Sequence, residues 1–315
     1  MISNGKWLEG IAPDADVADA ARKALGDRLA AVLYWLPPAA YCADLDIEHV
    51  HRLRVSTRRA AAAWQLFHSW LPPKRARRVK KWLKQVRKAA GEARDLDVLS
   101  ARLERQLGDD GKDVVAQFSD RRARVQPAIV QVADRARRHD RLAGEVEKLL
   151  SGIKPCCNKR SCEECAPFQK WARKQLDELA GEFFDGLPAS DDEPSELHQF
   201  RIRAKALRYA IELLASAFDD ELRYEHYPVV EELQERLGGI NDHATATERL
   251  NEWSESADDA VMRRKYRDLA QEESQRLKNE LRAFREWWTP ERVASLRRGL
   301  ASDTGQPEAR TVLSY

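Results

Sequence analysis

The sequence predicts an all-α fold built from two similar four-helix bundles. Apolar residues recur with the 3.6-residue period of amphipathic helices through most of the chain, and no segment shows the alternation of a β-strand. Glycine is scarce, with 14 in 315 residues, while the good helix formers Ala, Leu, Arg, Glu and Lys are abundant. The residues that follow His51 are repeated after His198, which indicates an internal duplication.

The first half of the chain carries five predicted helices. A cap near Asp46 marks the start of the second helix, and Pro72-Pro73 ends it because proline cannot continue a helix. Pro127 is expected to kink the fifth helix. The helices are predicted at about 14–36, 46–71, 73–91, 95–107 and 112–152.

The second half shows the same helical character after a short linker that contains cysteine and proline. Its helices are predicted at about 168–186, 194–217, 219–237, 241–256 and 258–287. The predicted organisation is an N-terminal segment (1–13), a first bundle (14–152), a cysteine-containing linker (153–167), a second bundle (168–290) and a polar C-terminal tail (291–315).

The two halves align without a gap at an offset of 147 residues, from residue 51 to residue 198. His51-Arg52-Leu53-Arg54-Val55 aligns with His198-Gln199-Phe200-Arg201-Ile202. One register kept over three predicted helices indicates two bundles of long antiparallel helices related by a pseudo-two-fold axis. The same offset places Lys205 opposite Arg58, Gly238 opposite Gly91, Asn241 opposite Arg94 and Asp242 opposite Asp95.

Positive charge is concentrated in one block of the first half. The formal net charge is only +2, yet residues 49–91 contain 13 Lys and Arg and no Asp or Glu. Their counterparts, residues 196–238, contain six basic and nine acidic residues. On the third helix the apolar residues share one face and the cations the opposite face, which predicts an exposed cationic strip. The cationic strip consists of Arg77, Lys80, Lys81, Lys84, Arg87 and Lys88.

Each half also carries a stripe of basic residues that begins with a histidine on its second helix. The first stripe, His51, Arg54 and Arg58, has the i, i+3, i+7 spacing that places side chains on one helix face. Like charges in line repel one another, and a bound anion would remove that repulsion. Because Arg and Lys bind phosphate oxygens well, the predicted partner is a phosphate-rich polyanion. The second stripe consists of His198, Arg201, Lys205 and Arg208.

This duplicated pattern resembles the CHAD family, the conserved histidine α-helical domain. The resemblance covers about residues 14–290 and implies two helical bundles whose inner helices line a central cavity with basic residues. It also implies binding of inorganic polyphosphate and association with polyphosphate granules. The site residues would be the cationic strip, both stripes, Arg59 and Arg94. The matching segments are His51-x-x-Arg54-Val55-x-x-Arg58-Arg59, His198-x-x-Arg201-Ile202-x-x-Lys205, Gly91-x-x-Arg94-Asp95-x-Asp97 and Leu237-Gly238-x-x-Asn241-Asp242.

Other functions share part of these features. A non-specific nucleic-acid-binding protein needs the same cations, and a histidine phosphotransfer protein would carry a phosphate on His51 or His198. A basic helix face can also simply be solvated, and both histidines could be buried structural residues. The chain lacks the GxxxxGK[ST], HExxH and GxSxG motifs, so it is not expected to be an enzyme.

The cysteines do not form the framework of a secreted protein, because four of the five lie within ten residues. Four thiolates so close together could bind a structural zinc ion; unligated thiols are the alternative, and no other cofactor is expected. No apolar run of 18 residues and no signal peptide are evident, so the chain is expected to be cytoplasmic with no membrane partner. The cluster consists of Cys156, Cys157, Cys162 and Cys165.

Overall fold

The computed structural model describes residues 5–107, 112–155, 166–188 and 194–304. Within these ranges the chain is almost entirely helical and contains no β-strand, which confirms the predicted all-α class. None of the described helices is both long and apolar enough to span a membrane. The chain divides into two compact units: unit 1 comprises Met1–Lys6 and Asp14–Pro167, and unit 2 comprises Trp7–Pro13 and Phe168–Tyr315.

Unit 1 is a bundle of four long helices with a shorter fifth. Asp16 and Asp46 begin the first two helices, because each side chain accepts a hydrogen bond from the backbone N–H two residues later, at 2.6 and 2.8 Å. Each long helix packs against the next and the fourth packs on the first, enclosing core residues such as Leu53 and Phe67. The helices are α1 (Val17–Tyr41), α2 (Glu48–Leu66), α3 (Pro73–Leu107), α4 (Lys112–Arg137) and α5 (Arg141–Ser151).

Among the described residues, unit 2 likewise has four long helices followed by a shorter fifth. Its core is rich in aromatic rings, with Phe183 and Phe200 stacked at a centroid distance of 5.1 Å. The tail predicted from residue 291 is wrong in its first part, because Leu296 and Leu300 are buried in a helix that packs on the first helix of the unit. The helices are α6 (Phe168–Asp185), α7 (Pro194–Leu214), α8 (Tyr227–Ser256), α9 (Ala260–Trp287) and α10 (Pro290–Thr304).

The predicted helix breaks near 91–95 and 237–241 are wrong. α3 is one helix of 35 residues and α8 one helix of 30 residues. A glycine inside a helix costs only about 1 kcal/mol relative to alanine, which the packing of a long helix offsets. At Gly91 the helix is also held from α2, because Arg54 Nη1 donates a hydrogen bond of 2.7 Å to the Gly91 carbonyl.

The helix predicted at 112–152 does not end at Pro127. α4 continues through Pro127, where both Pro127 and Ala123 are exposed, so the carbonyl that lacks an N–H partner can meet water. The helix is interrupted instead between α4 and α5, where His139 and Asp140 have φ of 56° and 48°. Two successive residues in the left-handed region divide the predicted helix into α4 and α5.

The N-terminal segment is packed rather than separate. In unit 1 the buried guanidinium of Arg28 donates hydrogen bonds to the carbonyls of Gly5 (2.7 Å) and Lys6 (2.6 Å). In unit 2 the N–H of Leu8 donates to the carbonyl of Glu212 at 3.0 Å. The first residues of the chain therefore contribute contacts to the core of each unit.

The helix boundaries of the two units repeat at nearly the predicted offset. Moved by 147 residues, α2 would span 195–213, and α7 spans Pro194–Leu214. Moved in the same way, α4 would span 259–284, and α9 spans Ala260–Trp287. The order and lengths of the helices thus agree with a duplication, whereas the superposition of the bundles and the pseudo-two-fold axis stay predictions.

A buried carboxylate joins the third helix to the fourth in each unit, but it lies on the third helix in unit 1 and on the fourth in unit 2. In unit 1 the acid lies on α3, where Asp97 Oδ1 accepts a hydrogen bond of 2.6 Å from Arg122 Nε of α4. In unit 2 the acid lies on α9, where the fully buried Glu273 contacts His243 Nδ1 of α8 (2.6 Å) and Arg276 Nη1 (2.8 Å). Removing one partner of such a contact leaves a buried polar group unsatisfied, so it fixes how the helices pair.

We expect Glu273→Ala to lower the free energy of unfolding by about 3 kcal/mol, because His243 and Arg276 would be left without their buried acceptor. Glu272→Ala is the matched control: Glu272 is exposed and contacts the same Arg276 at 3.4 Å, so its removal should change stability by less than about 1 kcal/mol. Urea unfolding followed by circular dichroism measures both. Equal destabilisation by the two variants would contradict a structural role for the buried contact.

Candidate cationic binding site

Arg54 of the first stripe ties α2 to α3. Its Nη1 donates to the Gly91 carbonyl and lies 3.0 Å from Asp95 Oδ1. Gly91 and Asp95 come after the last residue of the cationic strip on α3, so the contact fixes α2 beside that end of the strip. Since Asp95 balances its charge, Arg54 acts mainly as a bridge between the helices.

His51 lies half-buried in positively charged surroundings. Its side chain is 36% exposed, and its Nε2 lies 3.9 Å from Glu48 Oε1. Burial lowers the pKa of His51 below its usual value, and the guanidinium of Arg94 on α3 lowers this pKa further; Glu48 opposes the change, and Arg58 and Arg52 add to it. The surroundings therefore favour the neutral imidazole, and the charges of Arg58 on α2 and Arg94 on α3 both act on His51.

All six cations of the cationic strip are exposed. Among the described residues, none of their side chains forms a salt bridge or a hydrogen bond. The opposite face of α3 is buried, with Val79, Leu83 and Val86 in the core. Arg78 lies beside the strip and pairs with Glu145 of α5 at 3.2 Å. The apolar face thus holds α3 in the bundle while the strip presents its positive charge to solvent.

Arg59 lies on a different side of α2 from the first stripe. It follows Arg52 by seven residues, which places the two on the same helix face. The Arg52 guanidinium lies 4.9 Å from the ring centre of Trp35 on α1. Arg52 is therefore directed to α1, whereas Arg54 is directed to α3, and the helical spacing places Arg59 on the side of Arg52.

The second stripe begins with a contact between His198 and an uncharged amide. His198 Nδ1 lies 3.1 Å from Oδ1 of Asn241, the residue that stands where unit 1 has Arg94. Arg201 and Lys205 are half-buried on α7. The repulsion between His51 and Arg94 in unit 1 is therefore replaced in unit 2 by a hydrogen bond.

Arg208, the last residue of the second stripe, is enclosed by carboxylates. Its Nε donates to Glu212 Oε1 at 3.3 Å, and its Nη2 lies 3.8 Å from Glu231 Oε1. The Tyr227 hydroxyl lies 2.9 Å from both of these carboxylate oxygens. Burial and the charge of Glu212 raise the pKa of Tyr227 above its usual value, so it stays a neutral phenol. The charge of Arg208 is thus balanced within unit 2.

Sequence reasoning missed two residues of α4 that support the site. Arg122 joins Asp97 to Gln126, whose Nε2 donates to the carbonyls of Ala39 and Ala40 at the end of α1. The four-residue spacing of Arg122 and Gln126 indicates a shared helix face, but no motif indicates what that face contacts.

The cysteine cluster, Cys156, Cys157, Cys162 and Cys165, lies outside the described residues. Zinc binding by these thiols stays a prediction. Among the described residues, no group of three or more His, Cys, Asp or Glu side chains could hold a metal ion.

Comparisons with known proteins agree with the fold. The family model of the CHAD domain matches residues 23–251. The crystal structure of the CHAD domain from the plant Ricinus communis has a TM-score of 0.68 and 21% identity, over 93% of this chain and 94% of that one. PptA from Streptomyces chartreusis has a TM-score of 0.53 and 15% identity, over 92% and 99% of the two chains. A search of curated proteins gives no significant match.

We expect Arg94→Met to raise the pKa of His51, because the variant removes the largest charge effect that lowers it. An NMR titration of the His51 ring measures the change. Arg59→Met is the matched control, since Arg59 lies on the other side of α2 and should leave the His51 titration as it is. A His51 pKa that responds equally to both variants would contradict the placement of Arg94 beside His51.

Proposed function

Since the chain belongs to the CHAD domain family, we propose that it binds inorganic polyphosphate, mainly through the cationic strip and the first stripe of unit 1. The observation that carries the proposal is the row of six exposed cations on α3, which have no ionic partner among the described residues. Such a row is repulsive in the free protein, and a bound polyanion would relieve the repulsion.

The shape of the strip suits a thin linear anion. From Arg77 to Lys88 the helix rises about 16 Å at 1.5 Å per residue, which gives roughly one cation per 3 Å. Polyphosphate is a flexible chain that carries charge on every unit and can follow the helix axis. Arginine supplies bidentate donors to its oxygens, lysine supplies mobile charges, and counterion release adds to the affinity.

Arg201 and Lys205 supply a second and smaller set of cations in unit 2. Their position on α7 corresponds to that of Arg54 and Arg58 on α2. The third helix of unit 2 lacks a strip of its own, because Glu231 and Glu235 stand where unit 1 has Lys84 and Lys88. We therefore assign unit 2 a minor part in holding the polyanion.

Nucleic-acid binding is the alternative that shares these electrostatics. Proteins that bind single strands interleave cations with exposed aromatic rings on which the bases stack. Among the described residues, none of the exposed large apolar side chains lies on α3, and Trp82 is half-buried with the Arg135 guanidinium 6.0 Å from its ring. The strip therefore offers charge without a stacking surface, which favours polyphosphate.

A histidine phosphotransfer function is less well supported. The guanidinium groups beside His51 would bind a phosphate on this histidine and hinder its transfer to an acceptor.

We propose that the chain is a binding protein and not an enzyme, and that it acts in the cytoplasm at polyphosphate granules.

Charge reversal on α3 tests the proposal. We expect Lys81→Glu/Lys84→Glu/Lys88→Glu to weaken the binding of long-chain polyphosphate on the order of 100-fold or more at low salt, because three lysines no longer neutralise phosphate groups. A plot of the logarithm of the binding constant against the logarithm of the salt concentration should become less steep. Its slope should change by about one unit for each of these lysines that binds a phosphate in the wild type. The helix should be retained in circular dichroism, since these side chains lie opposite the buried face.

The control has the same change in charge elsewhere. Lys170, Arg173 and Lys174 are exposed on α6, and reversing all three to Glu should change the affinity by less than about threefold at 0.15 M salt, where distant charges are screened. Arg223 and Arg236 are unsuitable, because Arg223 pairs with Glu9 and Arg236 with Glu232. If both triple variants bind alike, the strip is not the site. Competition with duplex DNA in the same salt tests the alternative partner.

The affinity should rise as the pH falls. In the free protein the pKa of His51 is lowered, and a bound polyanion would raise it, so the complex binds more protons than its components. Because binding takes up protons, the affinity increases as the pH drops through the range between the pKa of His51 in the complex and its pKa in the free protein. This range lies near or below about 6.5. Calorimetry in buffers of different ionisation enthalpy measures the uptake. His51→Ala should flatten the profile, whereas His68→Ala, an exposed histidine between α2 and α3, should not.

A further inference from the structure

Asp97 of α3 is a buried carboxylate with only one of its oxygens bonded. Its side chain is 3% exposed, and Oδ1 accepts the hydrogen bond from Arg122 Nε. Among the described residues, nothing donates a hydrogen bond to Oδ2. Burial raises the pKa of Asp97, and Arg122 and then Arg94 oppose this change. A buried carboxylate with an unsatisfied acceptor is uncommon, because such an oxygen costs about 1–3 kcal/mol.

The bonded side of Asp97 is held rigidly. Arg122 Nη1 donates to Gln126 Oε1 at 2.9 Å, and Gln126 Nε2 donates to the carbonyls of Ala39 (3.0 Å) and Ala40 (2.8 Å). This chain of contacts links α3 through α4 to the end of α1. Asp97 therefore cannot turn away without losing its hydrogen bond to an arginine that is itself held in place.

Arg94 precedes Asp97 by three residues on α3, a spacing that brings two side chains together on a helix surface. Among the described residues, the side chain of Arg94 forms no hydrogen bond and no salt bridge. Its charge nevertheless acts on Asp97 and on His51 across the gap to α2. The charge of Arg94 thus acts both on the buried carboxylate of Asp97 and on His51 of the first stripe.

The alignment of the two halves of the sequence provides an independent observation. At the offset of 147 residues, Asn241 stands opposite Arg94 and Ala244 opposite Asp97. The unit that lacks the arginine also lacks the carboxylate, and its histidine contacts the asparagine directly. This joint replacement is expected if the acid serves the arginine; the contact between the third and fourth helices is supplied in unit 2 by His243 and Glu273.

We propose that Asp97 is a positioning residue of the polyanion site: its Oδ2 attracts the Arg94 guanidinium and keeps it beside His51, where a phosphate group can bridge Arg94 and His51. The proposal rests on the proposed function only for the identity of the anion. A freely moving arginine would lose side-chain entropy on binding, whereas one held near its place loses less.

The test compares the wild type with Asp97→Asn, Arg94→Met and the double variant. If Asp97 holds Arg94 beside His51, Asp97→Asn releases the arginine, and the pKa of His51 rises as it does in Arg94→Met. If Asp97 acted on His51 only through its charge, its replacement would lower the pKa of His51 instead. The two models thus predict opposite directions. In the Arg94→Met background, Asp97→Asn should produce no rise. A fall or no change in the single variant overturns the proposal.

This titration is made on the free protein by NMR, so its outcome does not depend on whether polyphosphate is the ligand. A second readout is the affinity for long-chain polyphosphate: Asp97→Asn should weaken binding on the order of tenfold in the wild type and less than about twofold in Arg94→Met. Equal weakening in both backgrounds would show a purely structural role. If Asp97→Asn does not fold, the same cycle is made with Arg94→Asn and Asp97→Ala, the residues that unit 2 carries.

Discussion

The packing of α3 in unit 1 must hold a row of uncompensated positive charges at the surface. Like charges on one helix face repel one another and by themselves disfavour the helix. α3 tolerates them because its other face buries Val79, Leu83 and Val86, and because Arg54 and Asp97 tie its second half to α2 and α4. Packing and ionic contacts thus offset the repulsion. A polyanion that binds the folded protein would remove it and add stability by mass action.

Unit 2 shows the same order of helices with the charges used differently. Glu231 stands where unit 1 has Lys84, and its carboxylate approaches Arg208. Arg236 pairs with Glu232 and lies 4.7 Å from the ring centre of Trp287. These cations stabilise the unit internally and are less available to a ligand. At the aligned positions Glu231 and Glu235 stand where unit 1 has Lys84 and Lys88, and the buried Tyr227 stands where Lys80 is exposed, so the third helix differs in surface charge and in packing.

The helices and the cationic strip could be predicted because both follow from the local period of apolar and basic residues. Gly91 misled the prediction, since a local helix propensity near 1 kcal/mol is smaller than the packing of a long helix. The supporting contacts could not be predicted, because Arg122 is 25 residues from Asp97 and Gln126 is 87 residues from Ala39. Motif spacing fixes the faces of a helix but not the neighbour that each face meets, so the sequence did not indicate that Arg52 would contact Trp35 of α1.

The presence of a histidine at position 51 is explained by the residue opposite it, Arg94. A permanent cation at position 51, half-buried beside Arg94, would add repulsion in the free protein at every pH. A neutral imidazole avoids this repulsion and can still accept a proton when an anion is bound. In unit 2, His198 faces Asn241 and exchanges a hydrogen bond with a neutral amide. The pairing of His51 with Arg94 therefore makes the protonation of His51 responsive to the charge of a ligand, whereas the counterpart of Arg94 in unit 2 is an uncharged hydrogen-bonding partner.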